Sequence, residues 1–185
     1  CSVFIFVWVL SNTNSKAEIS LGDGFYASDD GTTLIRYDGA GGAITLPTTA
    51  NGTTITSIAD GVFMNNTAIT SVTIPSSYRS MGSAAFSGCT ALQSASLGSV
   101  TSIPSEAFRN CSSLSSITIP STVSSIGGNA FNGCASLRSA TIPSSVSSIA
   151  SGAFDNCRNM TSFSVDGGNG NYSSINGCLY NKAGT

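Results

Sequence analysis

Four cysteines at nearly equal intervals are the residues of this chain best suited to chemistry. They are Cys89, Cys111, Cys134 and Cys157, each 22 or 23 residues from the next. A thiol can act as a nucleophile, ligate a metal or form a disulfide. The chain contains no His, which excludes Cys-His and Ser-His-Asp catalysis and His-ligated zinc. There is also no C-x-x-C pair, so we expect no catalytic residue, no metal and no cofactor.

The composition excludes further classes of partner. Only 9% of the residues are charged, with 7 Lys and Arg against 9 Asp and Glu, where soluble domains commonly have about 25%. A nucleic-acid binder needs a basic surface that displaces counterions from phosphates, and a polybasic membrane contact needs a cluster of cations. We therefore expect a polar, nearly uncharged surface and no nucleic-acid partner.

The cysteines belong to an internal repeat of 22 or 23 residues that is defined by five columns of matching positions. The columns are Phe63, Phe86, Phe108, Phe131 and Phe154; Asn66, Cys89, Cys111, Cys134 and Cys157; Ile69, Leu92, Leu114, Leu137 and Met160; Val72, Ala95, Ile117, Ala140 and Phe163; and Ile74, Leu97, Ile119, Ile142 and Val165. A unit this short cannot enclose a core of its own, so successive units must stack. The spacing predicts a solenoid.

Each coil is predicted to have walls with different periods. Residues 139–142 alternate polar and apolar, which is typical of a short strand. Pro143 turns the chain at the strand's end, where a proline removes no central ladder donor, and Val146 and Ile149 point inward again. We expect a short helical or 3₁₀ segment around the Phe of each coil.

The units IPSTVSSIGGNAFNGCASL and IPSSVSSIASGAFDNCRNM resemble the BspA-like leucine-rich repeat family. The resemblance implies an α/β leucine-rich-repeat solenoid of about five coils over residues 55–165, with short strands on one face. It also implies β-hairpin caps. One lies at residues 18–54, with a tight turn at Asp30-Gly31. The other begins within residues 166–185, where we expect the sequence to stop before a second strand.

The start of the chain is typical of a secretory signal. The apolar run Val3–Leu10 is too short to span a bilayer but fits the central region of a signal peptide. Small residues at Ser15 and Ala17 suit cleavage after Ala17. Residues 1–17 are thus predicted to be a signal-peptide remnant, although a buried terminal strand is an alternative. The location would be secreted or cell-surface, with membrane attachment only through the signal or an anchor outside this sequence.

The repeated cysteines allow two interpretations. On adjacent coils about 4.8 Å apart, they lie close enough for disulfides, which extracellular proteins often contain. Alternatively, they form a buried ladder of free thiols that fill space and donate weak hydrogen bonds. The ladder is favoured because Asn66 occupies the first position of the column, where it cannot form a disulfide but can bond to backbone.

The polar residues between the inward-facing strand positions form regular exposed columns, which we expect on the concave face. We predict that this face binds an extracellular protein or glycan. Its members are Ser71, Thr73, Ser94, Ser96, Ser116, Thr118, Arg138, Ser139, Thr141, Ser162 and Ser164. Copying of a strand-compatible repeat would produce the same columns without a binding role.

The resemblance implies a surface protein that mediates adhesion or binding, without enzymatic activity. Alternatives are a structural spacer or self-associating stalk that displays a domain beyond Thr185, and ice binding by the Ser/Thr columns.

Residues 166–171 resemble a calcium loop only weakly, because Gly168 has no side-chain oxygen. The glycines of residues 39–42 are not a phosphate cradle. Five N-x-S/T sequons are candidate glycosylation sites in a eukaryotic source: Asn51, Asn65, Asn110, Asn159 and Asn171.

Overall fold

A computed structural model describes residues 17–182 as an all-β solenoid with hairpins at both ends. In chain order the strands are β1 (Glu18–Gly22), β2 (Phe25–Ser28), β3 (Thr33–Tyr37), β4 (Gly42–Thr45), β5 (Thr49–Ala50), β6 (Thr53–Thr54), β7 (Ser57–Ile58), β8 (Ile69–Thr73), β9 (Ser80–Met81), β10 (Ser94–Ser96), β11 (Ser102–Ile103), β12 (Ser116–Thr118), β13 (Ser125–Ile126), β14 (Ser139–Ile142), β15 (Ser148–Ile149), β16 (Ser162–Val165), β17 (Tyr172–Ile175) and β18 (Cys178–Asn181). The predicted signal-peptide remnant lies, except for Ala17, outside the described residues.

Six strands follow one another on one side of the solenoid, which we call the strand wall. Strands β4, β8, β10 and β12 form one parallel sheet, and β14 pairs in parallel with β16. The solenoid therefore has about six coils, and the expectation of five was one too few. The coil that was missed carries β4. Its corner contains the additional hairpin of β5 and β6, which interrupts the repeat spacing.

A second set of parallel strands, only two residues each, forms the wall after the proline corner. Strands β7 and β9 continue the sheet from β3, and β11, β13 and β15 form another. The inward residues of this second wall are Ile58, Met81, Ile103, Ile126 and Ile149. Its regularity comes from a Ser-Ile or Ser-Met pair in every coil.

The third side, which we call the turn wall, holds the Phe and Cys columns and contains no helix. The α/β class was therefore wrong for the described residues. The amide of Phe131 donates to Ala153 of the next coil, whereas the amide of Asn132 donates to Asn129 in its own coil. The next two amides repeat this alternation. An α-helix needs every amide to bond four residues back, and here every second one is bonded to a neighbouring coil.

Positive φ angles reinforce this path through the turn wall. In the fifth coil Asn129 has φ 55° and Gly133 has φ 77°, which are left-handed values that interrupt a right-handed helix. The turn from Phe131 to Cys134 closes with an amide-to-carbonyl bond of 3.1 Å, and its third residue, Gly133, has the positive φ that a type II turn requires. The same position is Asn65, Gly88, Asn110 or Asn156 in the other coils, each with positive φ.

The core is one continuous cluster in which equivalent residues stack on each other. The Phe rings of the column are nearly parallel, with centroids 4.7 to 5.5 Å apart from Phe63 to Phe154. Tyr37 extends the stack at one end and Phe163 at the other. Since the interior is filled by ladders of side chains from adjacent coils, each coil depends on its neighbours for burial.

Both ends of the stack are closed by antiparallel hairpins. Strands β1, β2 and β3 form a meander, and the turn at Asp30-Gly31 joins β2 to β3 as predicted. At the other end β17 and β18 pair around Asn176-Gly177. This corrects the expectation that the sequence stops before a second strand, since both strands precede Lys182. The described residues contain no helix able to cross a membrane.

Candidate binding face and thiol column

The parallel register of the strand wall aligns the predicted hydroxyl residues in two columns. Ser94 pairs with both Ser71 and Ser116, and Ser139 pairs with Ser162. The second column aligns Thr73, Ser96 and Thr118, followed by Thr141 and Ser164. Strand β4 extends both columns by Ala43 and Thr45. These two residues were missed, although the sequence ITLP at 44–47 matches the VTIP, ITIP and ATIP of later coils.

These hydroxyls face outward and are not used to hold the solenoid together. Ser71 and Ser162 are half-buried and the other members of the two columns are exposed, whereas Val72 and Ile117 between them are buried. Within the described residues, no hydroxyl of either column makes an intramolecular hydrogen bond. By contrast, the hydroxyls of Ser124 and Ser147 at the corner each donate to a carbonyl of the preceding coil at 3.2 Å. The strand-wall hydroxyls are therefore available to another molecule.

Arg138 lies beside these columns, immediately before β14, and is exposed. Its side chain has no ion pair within residues 17–182, and its backbone carbonyl accepts hydrogen bonds from the amide and hydroxyl of Thr161. Among the face residues predicted from the sequence, Arg138 is the one cation. The face thus combines neutral hydroxyls with one guanidinium that is free to bind a carboxylate or carbonyl.

The thiol column lies inside the turn wall, where every thiol bonds to the preceding coil. The Sγ atoms of Cys89, Cys111 and Cys134 each donate to the carbonyl of a Phe in that coil at 3.1 Å, and Cys157 does so at 3.2 Å. All four cysteines are free. Asn66 uses its side chain differently, since its Oδ1 accepts the amides of Ala68 and Ile69 in its own coil. The thiols of the column therefore link each coil to the preceding one by hydrogen bonds.

Burial makes these thiols poor nucleophiles. It raises the pKa of Cys89 and of Cys134 to about 12, and that of Cys157 to about 11. It also raises the pKa of Cys111, to which the neighbouring thiols add. A nucleophilic or metal-binding cysteine needs the thiolate, which these surroundings disfavour. The geometry supports a structural role for this column.

Two other candidate loops are held by internal hydrogen bonds in the described residues. No group of three potential ligands that could hold a metal ion is present in residues 17–182. In the calcium-like loop, Asp166 Oδ1 accepts the amide of Gly168, and Asn169 is buried. In the glycine-rich loop, the amide of Gly41 donates to the Tyr37 hydroxyl. All five sequon asparagines are exposed.

Asn169 was not predicted and organises the C-terminal end of the solenoid. Its Nδ2 donates to the carbonyls of Pro143 and Val146, and its Oδ1 accepts the amides of Asn171 and Tyr172. Among residues 17–182 it is the one buried polar or charged residue, with 1% of its surface exposed. The sequence gives no signal for it, because Asn169 lies in a loop that the repeat does not cover.

The comparison with known proteins agrees with this architecture. Six copies of the BspA-type leucine-rich repeat region match residues 43–179. A leucine-rich repeat protein from T. pallidum is similar in structure, with 36% identity, a TM-score of 0.69, and coverage of 71% of this chain and 62% of that one. A leucine-rich cell surface protein from Faecalibacterium prausnitzii has 25% identity and a TM-score of 0.54, with coverage of 91% and 59%.

A leucine-rich repeat protein from Bacteroides ovatus has 26% identity and a TM-score of 0.65, with coverage of 83% of this chain and 40% of that one. This chain therefore spans between 40% and 62% of the length of these three structures. No curated protein matches it. The family match covers most of the chain and extends over all six coils, and the chain belongs to the BspA-type leucine-rich repeat family.

Proposed function

We propose that this chain is a non-enzymatic recognition protein at the cell surface or outside the cell, which binds a protein or glycan through the strand wall. This proposal rests on the alignment and the free hydrogen-bonding capacity of the hydroxyls in the two columns of the strand wall. They are in register over successive coils and have no partner within the described protein, whereas the corner hydroxyls of Ser124 and Ser147 are bonded internally. Solenoid proteins commonly use such extended surfaces for binding.

Two further observations support the proposal. A similar structure is described as a leucine-rich cell surface protein, which fits a surface location. Ser and Thr hydroxyls both donate and accept hydrogen bonds, so they match polar, uncharged partners. Because the face lacks aromatic anchors, we expect many weak contacts that gain strength from repetition.

The proposal is tested with a variant that places negative charge on the face. Ser116, Thr118, Ser139 and Thr141 are each changed to Glu, and binding of the immobilised protein to cells, matrix proteins and glycans is compared with wild type. The control adds the same charge elsewhere, at the exposed residues Ser80, Ser121, Ser148 and Ser151. We expect the face variant to lose binding and the control to retain it. Equal binding by both would overturn the assignment of the face.

The alternative is a spacer or self-associating stalk. It is favoured by the continuous series of aromatic contacts from Phe25 to Phe163, of which those from Phe63 to Phe154 are stacked, because these contacts join each coil to the next. A spacer would show no partner in the binding screen, and self-association would appear in sedimentation. Ice binding stays a minor alternative, since the columns mix Ser with Thr, and a thermal hysteresis assay tests it.

A further inference from the structure

A pocket of about 490 Å³ opens at the N-terminal end of the strand wall. It lies between the turn joining β1 to β2, the loop of residues 38–41 and strand β4. Among the residues that line it, Asp23, Tyr37 and Thr45 carry polar side-chain groups. Its volume is within the range of about 300–1,000 Å³ that is typical of small-ligand sites, and none of the residues predicted from the sequence to form the binding face lies in it.

The floor of the pocket is held in place by packing against the core. The Tyr37 ring packs against Phe25 at 4.7 Å and Phe63 at 5.3 Å between centroids, so it is fixed by the core. A Cβ placed on Gly39 would lie 2.6 Å from this ring, so only glycine allows the loop to lie there. The small side chains of Ala40 and Ala43 keep the space above open. The pocket is therefore preformed.

The polar groups of the pocket favour a neutral ligand rich in hydroxyls. Asp23 is exposed, and its carboxylate has no partner within the described residues, nor does the Thr45 hydroxyl. The nearby Arg36 is already paired with Glu18 and Asp38. A free carboxylate accepts hydrogen bonds from hydroxyls but repels anions. The site suits a sugar ring, whose hydroxyls can bond to the free carboxylate and to the Thr45 hydroxyl.

The pocket is continuous with the second hydroxyl column. Thr45 pairs with Thr73, which is followed by Ser96 and Thr118. Adjacent parallel strands are about 4.8 Å apart, which is close to the length of one pyranose in an extended, β-linked chain. A glycan lying along the solenoid axis would therefore present one sugar to each coil.

Building on the proposed function, we propose that the partner of the strand wall is a neutral, extended glycan. Its terminal pyranose occupies the pocket of Asp23, Tyr37 and Thr45, and its following sugars lie across the hydroxyl columns. The pocket sets the register of the glycan, and the columns add affinity with each sugar. Binding is then length-dependent and insensitive to the net charge of the protein's other walls.

The test is calorimetric titration of the whole protein with neutral β-linked gluco-oligosaccharides, from the disaccharide to the hexasaccharide, and with an acidic oligogalacturonide. Asp23→Asn removes the carboxylate charge at constant shape, and Ala43→Trp fills the pocket. The matched controls are Asp155→Asn and Ala150→Trp, at exposed sites on other walls. Circular dichroism establishes that each variant is folded.

We expect affinity for the neutral series to rise with length, and both pocket variants to weaken binding of the hexasaccharide by about tenfold or more, with the controls unchanged. Binding of a protein or cell that the four-Glu face variant abolishes, without binding of the neutral series, would overturn the glycan inference and leave the proposed function intact. A preference for the acidic sugar, or neutral binding that neither pocket variant changes, would also overturn it. Binding that the four-Glu face variant does not weaken would overturn both the glycan inference and the proposed function.

Discussion

The Sγ atom of Cys134 lies 3.1 Å from the backbone carbonyl oxygen of Phe108 in the preceding coil and donates a hydrogen bond to it. Both residues are fully buried. The carbonyl of Phe108 also closes the turn of its own coil by accepting the amide of Cys111. The thiol thus satisfies the second lone pair of a buried carbonyl, which gives the cysteine column a polar role as well as a packing one.

Removing this thiol should destabilise the solenoid. Cys134→Ala leaves the Phe108 carbonyl with one bond fewer and creates a small cavity, and we expect the free energy of unfolding to fall by about 1–3 kcal/mol. Urea denaturation measures the change. Cys178→Ala is the control, because Cys178 is exposed and exposed substitutions usually stay within about 0.5 kcal/mol. Equal effects of the two substitutions would show that the buried bond contributes nothing.

The described cysteines should differ sharply in reactivity towards an alkylating reagent. Cys178 is exposed, whereas Cys89, Cys111 and Cys134 are buried and hydrogen-bonded. We expect mass spectrometry of the native, unreduced protein to find modification at Cys178 and protection of the three buried thiols. All three should react once denaturant is added. Thiols that stay protected in denaturant without reductant would be disulfide-bonded, contrary to the free column.

The stability of the solenoid should fall at alkaline pH. Burial raises the pKa of Cys89 and Cys134 to about 12, whereas an unfolded thiol titrates near about 8.5. Above that value the unfolded state loses protons that the native state keeps, so the free energy of unfolding decreases as pH rises towards the native pKa. The expected slope is about 1.4 kcal/mol per pH unit for each buried thiol.

Urea denaturation between about pH 8 and 10.5 in the presence of reductant measures this slope, the window being set by the unfolded and native pKa values. The Cys134→Ala protein is the comparison, and its slope should be shallower by the contribution of one thiol. Burial also raises the pKa of Tyr78, so a second decrease is expected near the top of the range. Stability that is independent of pH would contradict the burial of protonated thiols.

The Asn169 side chain should hold the C-terminal hairpin on the last coil. Its four hydrogen bonds connect the loop after β16 to the corner at Pro143 and to the start of β17. Asn169→Ala leaves two buried carbonyls and two amides without this partner, and we expect a loss of several kcal/mol, since each unsatisfied group costs about 1–3 kcal/mol. Hydrogen exchange should show the loss first in β17 and β18. Unchanged exchange in β17 and β18 would show that Asn169 does not hold the hairpin on the last coil.

The stacking of the coils and the position of the strand wall follow from side-chain spacing alone. The Phe column and the inward residues such as Ile117 and Ile142 recur because each must face its own copy, and this constraint is visible in the sequence. The absence of helix from residues 17–182 cannot be predicted in the same way. It depends on which coil each backbone amide bonds to, and residues such as Ala84 and Glu106 adopt positive φ because that bonding between coils holds them there.

Only part of the candidate site could be predicted from the sequence, for the same reason. The face hydroxyls alternate with core residues and could be identified, but their lack of internal partners depends on geometry. The pocket joins Asp23, Gly39 and Ala43 through the packing of two loops and a strand, and no periodicity links these residues. Aligning on Phe also missed the first coil, in which Tyr37 takes the place of Phe in the aromatic stack.

The turn wall contains an alternation that a double-mutant cycle can test. The residues before the thiol column are Asn65, Gly88, Asn110, Gly133 and Asn156, so Asn and Gly alternate from coil to coil. A Cβ on Gly133 would lie 2.5 Å from the Oδ1 atom of Asn110. The Asn side chain therefore occupies the space that the absent side chain of the next coil leaves free.

Gly133→Ala should be destabilising for two separable reasons. Its φ of 77° costs a residue with a Cβ about 1–2 kcal/mol, and the contact with Asn110 adds to this. Asn110→Gly removes the contact but not the φ cost, so the double variant should recover part of the loss, with a coupling energy of about 0.5–3 kcal/mol. Gly167→Ala, where a Cβ meets nothing within 4 Å, is the control. Strict additivity of the two changes would show that the Asn side chain and the glycine are independent, and the alternation would then have no packing cause.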